Sequence, residues 1–282
     1  SGALRHPNTQ ISRRVNYEDP CWQRLKEFFY IALKKGMSNK KIFSFVIGFL
    51  ILFVVYHFPE FFSAFWIMAT FKIGFLIVAF ILAILQGWKG LGGYGLGFNP
   101  KWGSDLMKGL LTGLLFFGLS VFISVKLGYE QIAEIISFES AINQLPMILL
   151  MTAIPSVAED ILTRGYLYAH LKSLKPLVWI LISSFMYVLN HIWRLDDGPA
   201  VLIYLFILGV VLASAVWIAK SLWLAFGIHW GANIAFESTH SIIQTKALVG
   251  HNGPTWILAA TWALLFIIIA FFYFPKNFNK LT

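Results

Sequence analysis

Long apolar segments, separated by short polar or glycine-rich connections, make up most of this chain. A helix needs about 20 mainly apolar residues to cross the hydrocarbon core of a bilayer, and most of these segments approach that length. The pattern predicts an all-α fold, a polytopic membrane bundle with about eight transmembrane helices. Their expected bounds are 43–58, 71–88, 105–127, 144–170, 176–194, 199–219, 221–242 and 254–275.

Residues 20–41 have a different pattern, in which aromatic and aliphatic residues stand among lysines and arginines at helical spacing. Such amphipathic helices lie in the membrane surface. We therefore expect residues 1–41 to form a polar arm followed by an interfacial amphipathic helix. Residues 42–282 are expected to form a single transmembrane domain, with its core at about 100–245.

Three segments allow more than one interpretation. The apolar run 61–88 contains Lys72, and it is either one span or an interfacial piece followed by a span from near Phe71. We favour the second, because it lets the amine of Lys72 reach an interface. Residues 128–143 contain glutamates without lysine or arginine, which indicates an acidic extramembrane helix or loop. The glycine-rich stretch 87–100 lacks the Gly-Lys-Ser/Thr ending of a phosphate-binding loop, so we expect a bend there.

Composition and charge agree with a membrane protein. Apolar residues make up 58% and charged residues 12% of the 282 positions, too little polar surface for a soluble domain. The single cysteine, Cys21, excludes an intrachain disulfide and a cysteine metal cluster. The net charge of +9 fits lysines that favour anionic lipid headgroups, and no aromatic-basic pattern suggests nucleic acid. Most lysines and arginines fall on the side of the N-terminus, which predicts an integral, multi-pass protein with both termini cytoplasmic.

Ionisable residues in the fourth apolar segment point to chemistry. Glu159, Asp160 and Arg164 stand in an otherwise apolar stretch, where each charge costs roughly 2.5 to 3.5 kcal/mol at a helix centre. Asp160 and Arg164 are four residues apart, the spacing of a helical ion pair. Glu159 is turned about 100° from Asp160, so its carboxylate is free to face another partner.

Further polar residues lie in later spans. The fifth span contains His191 near its end, and the seventh contains His229 and Asn233 on one helical face. A carboxylate and two imidazoles from three spans could activate a water and stabilise an oxyanion, although each histidine alone is equally typical of an interhelical hydrogen bond. We expect Glu159, His191 and His229 to converge on one cavity that opens towards the cytoplasmic half, which requires a shifted or tilted fifth helix. Asn190 is expected to be interfacial.

Three motifs resemble a known family. Glu159-Asp160-x-x-x-Arg164, Tyr187-x-x-x-His191 and His229-x-x-x-Asn233 are similar to the motifs of the CPBP intramembrane proteases. This family, also called the CAAX protease or Abi family, includes the type II CAAX prenyl endopeptidase, and its motifs are Glu-Glu-x-x-x-Arg, Phe-x-x-x-His and His-x-x-x-Asn/Asp. The order of the motifs agrees, whereas Asp160 replaces a glutamate and Tyr187 replaces a phenylalanine.

The resemblance implies an intramembrane endopeptidase whose substrate is a membrane-bound peptide or protein, with 100–245 as the catalytic core. Glu159 would be the general base with His191 assisting, His229 and Asn233 would hold the oxyanion, and Asp160 and Arg164 would support them.

Two questions stay open at this stage. Glu159, His191 and His229 could bind Zn²⁺ with an open position for water, and a metal-free, glutamate-activated water is an equal alternative. The rival class is a catalytically silent family member that acts as a membrane scaffold or regulator. A transporter is disfavoured because no internal repeat is visible.

Overall fold

The computed structural model of the protein describes residues 38–248 and 252–273, with the side chain of Phe65 left aside. The helices in these residues are α1 Asn39–His57, α2 Phe65–Leu85, α3 Trp102–Lys126, α4 Phe138–Asp160, α5 Tyr166–Leu171, α6 Pro176–Asn190, α7 Pro199–Ala219, α8 Trp223–Ser241 and α9 Gly253–Tyr273. A π-helical segment, Ile161–Gly165, joins α4 to α5. Of the arm and interfacial helix predicted over 1–41, only 38–41 fall within the described residues, and 39–41 form the start of α1.

The predicted all-α, polytopic class is confirmed. Within the described residues, six helical segments are long and apolar enough to cross a membrane: Asn39–Phe61, Trp66–Leu85, Trp102–Lys126, Phe138–Leu171, Pro199–Ala219 and Gly253–Tyr273. Helix α6 is apolar but shorter, and α8 contains the polar residues of the seventh predicted span. The chain is therefore an integral, multi-pass membrane protein.

A short two-stranded sheet was not predicted. Strand β1 (Glu130–Ile135) pairs antiparallel with β2 (Ile243–Ala247), with an irregularity in register between Ile132 and Glu134. The expectation of an acidic helix or loop over 128–143 is therefore wrong for β1. Its partner strand follows α8 in sequence, more than a hundred residues away, so a pattern local to 128–143 gives no sign of the pairing.

The expected placement of Lys72 is also wrong. Helix α2 begins at Phe65 and continues through Lys72, whose side chain is buried. The amine donates a hydrogen bond to the Tyr56 carbonyl at 3.1 Å, lies 3.2 Å from the centre of the Tyr56 ring and is 3.4 Å from Glu60 Oε1. Because these partners satisfy the charge inside the protein, Lys72 does not need to reach the interface.

The glycine-rich connection is a bend, as predicted. It forms a 3₁₀ turn over Gly90–Tyr94, and Gly95 follows with φ of 90°, a left-handed conformation that favours glycine. The Gly95 carbonyl accepts a hydrogen bond from the Leu222 amide at 2.9 Å, just before α8 begins. The connection therefore anchors the start of the helix that contains His229.

Glycines bring α3 and α8 into backbone contact. A Cβ atom added to Gly113 would lie 2.1 Å from the Ile228 carbonyl oxygen, and one added to Gly231 would lie 2.3 Å from the Leu110 carbonyl oxygen. Small residues permit such close approach between membrane helices. Since His229 lies between Ile228 and Gly231, this contact sets the position of α8 along α3 and its rotation about its own axis, and with them the position of His229.

We expect Gly113→Ala to lower the thermal unfolding temperature of the purified protein, because its methyl group would collide with a backbone carbonyl that has no room to move. Overpacking of this kind costs about 1 to 3 kcal/mol. Gly118→Ala on the same helix is the matched control, since nothing lies within 4 Å of its added Cβ. Equal unfolding temperatures for the two variants would contradict the role assigned to the contact.

Candidate active site

The end of α4 directs two neighbouring carboxylates to different partners. Asp160 and Arg164 are completely buried, and the predicted ion pair between Asp160 Oδ1 and Arg164 Nη1 is present. The same guanidinium nitrogen donates to Thr163 Oγ1 at 3.0 Å, and the guanidinium carbon lies 4.4 Å from the centre of the Tyr187 ring. Glu159 does not join this pair and faces two histidines instead.

His229 on α8 lies between the two carboxylates. Its Nδ1 is 3.1 Å from Asp160 Oδ1, and its Nε2 is 3.7 Å from Glu159 Oε2. An ionised carboxylate only accepts hydrogen bonds, so the Nδ1–H group donates a hydrogen bond to Asp160 and the ring is held with Nε2 towards Glu159. The residue that pairs with Arg164 therefore also orients His229.

His191 faces the other oxygen of the same carboxylate. Its Nδ1 donates to the Tyr187 carbonyl at 2.8 Å, and its Nε2 is 3.5 Å from Glu159 Oε1. The predicted convergence of Glu159, His191 and His229 is thus observed. Helix α6 ends at Asn190 and not at the predicted residue 194, which places His191 directly after the helix end.

Asn233 completes the set that the sequence singled out. It lines the same cavity as the two histidines, one turn after His229 on α8. Its Nδ2 donates to Ser156 Oγ at 2.8 Å, which ties α8 to α4 beside the site. Since an amide nitrogen has two hydrogens, one donor of Asn233 is left for a ligand in the cavity.

Asn190 is the site residue that sequence reasoning missed. It was expected at an interface, but it is 5% exposed, and its Nδ2 donates to Glu159 Oε1 at 3.0 Å. The available signal was its position directly before His191 at the end of an apolar helix. Because Asn190 lies near the outer end of the predicted span, the pattern indicated an interfacial residue and gave it no part in the site.

A cavity of about 290 Å³ connects these groups with the surface of the helical bundle. The exposed side-chain fraction rises from 3% at His229 through 9% at Glu159 and 21% at His191 to 43% at Arg194, all of which line it. Arg194 follows α6 at the same end of the bundle as β1 and β2. The cavity thus opens away from the end that contains Ser38 and the start of α1. The expectation that it opens on the side of the termini is therefore wrong.

Glu159, His191 and His229 are residue types that bind metal ions, but their arrangement in this site does not fit one. Both Nδ1 atoms have fixed acceptors, which leaves both Nε2 atoms facing Glu159 as a metal site would require. However, each carboxylate oxygen faces a different ring, and Oε1 also accepts a hydrogen bond from Asn190. Among the described residues, no group of three histidine, cysteine, aspartate or glutamate side chains is arranged to hold a metal ion.

Fold and site together define a class: an integral, multi-pass helical membrane protein with a carboxylate and two imidazoles in a cavity that reaches into the bundle. The family model described as Type II CAAX prenyl endopeptidase Rce1-like matches residues 141–235. This segment contains all seven of the residues named in the three sequence motifs. The matched segment is similar to the Rce1-like family, which confirms the resemblance to the CPBP proteases. A search of curated proteins gave no match.

Proposed function

We propose that the protein is an intramembrane endopeptidase that hydrolyses a peptide bond of a membrane-associated peptide or protein with a water activated by Glu159. The observation on which this rests is the position of one buried carboxylate within 3.5 Å of His191 Nε2 and 3.7 Å of His229 Nε2, at the inner end of a cavity. A general base needs its reacting proton within about 3.2 Å or one water away, and a water in this cavity can meet that condition.

In the proposed reaction, Glu159 accepts one proton from the water while the water oxygen attacks the carbonyl carbon. The hydrogen bond from Asn190 and the fixed ring of His191 keep the carboxylate facing the cavity. When the tetrahedral intermediate collapses, the bond between carbon and nitrogen breaks. Glu159 then passes the proton to the leaving amine, and the carboxylate is regenerated.

The oxyanion of the intermediate is assigned to His229 and Asn233. With Asp160 accepting from Nδ1, a proton on Nε2 makes the His229 ring a charged donor that is held in place. The remaining hydrogen of the Asn233 amide is a second donor on the same face of α8. Asp160 and Arg164 act through His229 and through the stability of α4, without contact with the substrate.

The rival proposal, a catalytically silent membrane scaffold, requires no chemistry from Glu159. Asp160 in place of the family's second glutamate is the residue that favours it. Against it stands the set of hydrogen bonds that holds both rings with Nε2 towards a single carboxylate, since a scaffold has no use for that orientation.

We expect Glu159→Gln to lower cleavage at least about 100-fold, because removal of a general base typically costs 10² to 10⁴ in rate. The measurement uses mass spectrometry to compare the termini of the proteins in membranes that contain the wild type or the variant. It looks for terminal segments, here called tails, that stay uncut with the variant. Glu237→Gln is the control, since Glu237 lies two helical turns after His229 on α8 and is exposed. Unchanged tails with folded Glu159→Gln protein would favour the scaffold.

We further propose that the reaction needs no metal. Glu159, His191 and His229 are the residues that would hold a zinc ion, which would supply a polarised water. The engagement of the two Glu159 oxygens with different partners supports the metal-free alternative.

We therefore expect cleavage of a tail identified above to survive incubation of the purified protein with a strong chelator. The control receives the same chelator saturated with zinc beforehand. Loss of cleavage that returned only on addition of zinc would reverse this proposal.

The orientation in the membrane follows from charge. Within the described residues, the end of the bundle with Ser38 contains Lys40, Lys41, Lys89, Lys101, Lys172, Lys175 and Lys220. Apart from the buried Lys72, the opposite end contains among the described residues only three lysines or arginines, Lys126, Arg194 and Lys246, together with Glu60, Glu130, Glu134, Glu139, Asp196, Asp197 and Glu237. Because basic residues favour the cytoplasmic side, we propose that both termini are cytoplasmic and that the cavity opens towards the other side.

In a Cys21→Ser background, we expect cysteines at Ser38 and Asn277 to resist a membrane-impermeant maleimide added to intact cells, and a cysteine at Asp197 to react. Permeabilised cells, in which all three should react, provide the control. Labelling of Ser38 and Asn277 from outside would invert the topology and place the cavity mouth on the cytoplasmic side.

A further inference from the structure

A second polar cluster lies directly behind Glu159, in a part of the chain outside the family match at 141–235. It consists of His57 at the end of α1, Glu60 in the following 3₁₀ turn, and Lys72 on α2. His57 is 4% exposed and the Glu60 side chain is 20% exposed. The proposed reaction makes no use of these residues, yet one of them is connected to the catalytic carboxylate.

The connection runs through the side-chain amide of Asn190. Its nitrogen donates to Glu159 Oε1 at 3.0 Å, and its oxygen lies 3.2 Å from His57 Nε2. A carboxylate can only accept, so the amide nitrogen must face Glu159 and the amide oxygen must face His57. The oxygen in turn can only accept, so His57 Nε2 donates. A single orientation of the amide satisfies both neighbours.

Further contacts hold the His57 ring itself. Its Nδ1 is 2.6 Å from Glu60 Oε2, and the same oxygen accepts a hydrogen bond from Trp193 Nε1 at 2.8 Å. Lys72 Nζ lies 3.4 Å from the other oxygen, Glu60 Oε1. The ring also packs against Phe53, with centroids 4.3 Å apart. Glu60 and Phe53 therefore fix the position of the His57 ring.

We propose that His57 is a positioning residue for Glu159: by donating to the Asn190 oxygen, it keeps the amide in the orientation in which the nitrogen donates to Glu159. Without that donor the amide can rotate by 180° and turn its oxygen towards the carboxylate, which repels it. Such a rotation would remove the hydrogen bond that holds the Glu159 carboxylate facing His191 and His229. The inference rests on the proposed role of Glu159 as the base, and it adds α1 to the elements that form the site.

Proton transfer through this chain is not part of the proposal. The Asn190 amide lies between the two ionisable groups, and an amide does not pass a proton on as an imidazole or a carboxyl group does. A purely structural role, in which the hydrogen bond between His57 and Asn190 only joins α1 to α6, is the alternative that the experiment has to separate.

Two amide variants separate the contacts of the ring. The glutamine of His57→Gln can place its nitrogen near the position of Nε2 and keep the bond to Asn190, whereas the shorter asparagine of His57→Asn reaches only towards Glu60. With a tail whose cleavage depends on Glu159, we expect His57→Asn to lower kcat about 10-fold or more with little change in KM. His57→Gln is expected to retain most of kcat. Equal kcat for the two variants would overturn the proposal.

A second measurement needs no substrate. In lipid nanodiscs, the thermal unfolding temperatures of His57→Phe, Glu159→Leu, which removes the acceptor of the Asn190 bond, and the double variant form a cycle between residues linked by Asn190. We expect the two effects not to add, because the loss of either end already frees the amide. Additive effects would overturn the proposal, since a bond that only joins α1 to α6 leaves Glu159 independent of His57.

The matched control is Gln86→Leu, combined with Glu159→Leu in the same way. Gln86 also joins α2 to the α4–α5 region by a hydrogen bond, to Tyr166 Oη at 3.0 Å, but without contact with the site. Its effect should add to that of Glu159→Leu, and Gln86→Leu should leave kcat unchanged. Absence of any cleavage that depends on Glu159 would refute the proposed function separately, while the cycle with His57 would still decide the link.

Discussion

The dominant constraint on this structure is the free-energy cost of placing charged groups inside a helical bundle that crosses a membrane. Asp160 meets this cost by accepting hydrogen bonds from two partners, Arg164 in the π-helical segment after α4 and His229 on α8. Loss of one partner of a buried pair leaves an uncompensated charge, which is much more damaging than loss of both. Because the same carboxylate also fixes the His229 ring, stability and geometry of the site depend on one interaction.

The second requirement is the close approach of α3 and α8. Glycines at the contact allow the two backbones to touch, and this sets how far His229 extends towards α4. On α4 itself, the change to a π-helical segment begins directly after Asp160. Such segments often occur at functional sites, where they alter the direction of neighbouring side chains. Backbone packing and helix irregularity thus place side chains that rotamer changes alone would not bring together.

Features that depend on local spacing could be predicted from the sequence. Apolar segment lengths gave the helices, and the four-residue spacing of Asp160 and Arg164 gave their ion pair. The positions of Lys72 and Asn190 and the β1–β2 pair could not be predicted in this way. Each depends on which elements are neighbours in space: Lys72 on the turn after α1, Asn190 on α1 and α4, β1 on the strand after α8. The direction of the cavity was missed because it was inferred from the depth of Glu159 and His229 along their spans, and depth does not show at which end the neighbouring helices leave the site uncovered.

The early end of α6 also bears on how water reaches a site in the membrane. Fifteen helical residues span about 22 Å, whereas the hydrocarbon core of a bilayer is roughly 30 Å thick. A helix this short creates a hydrophobic mismatch, which a bilayer relieves by thinning beside it. Non-helical backbone such as that after Asn190 is tolerated at membrane depth only where it is buried in protein or lines a water-filled cavity. The length of one helix thus lowers the barrier that lipid presents to water, and it does so at the residue where the carboxylate begins to face the outside.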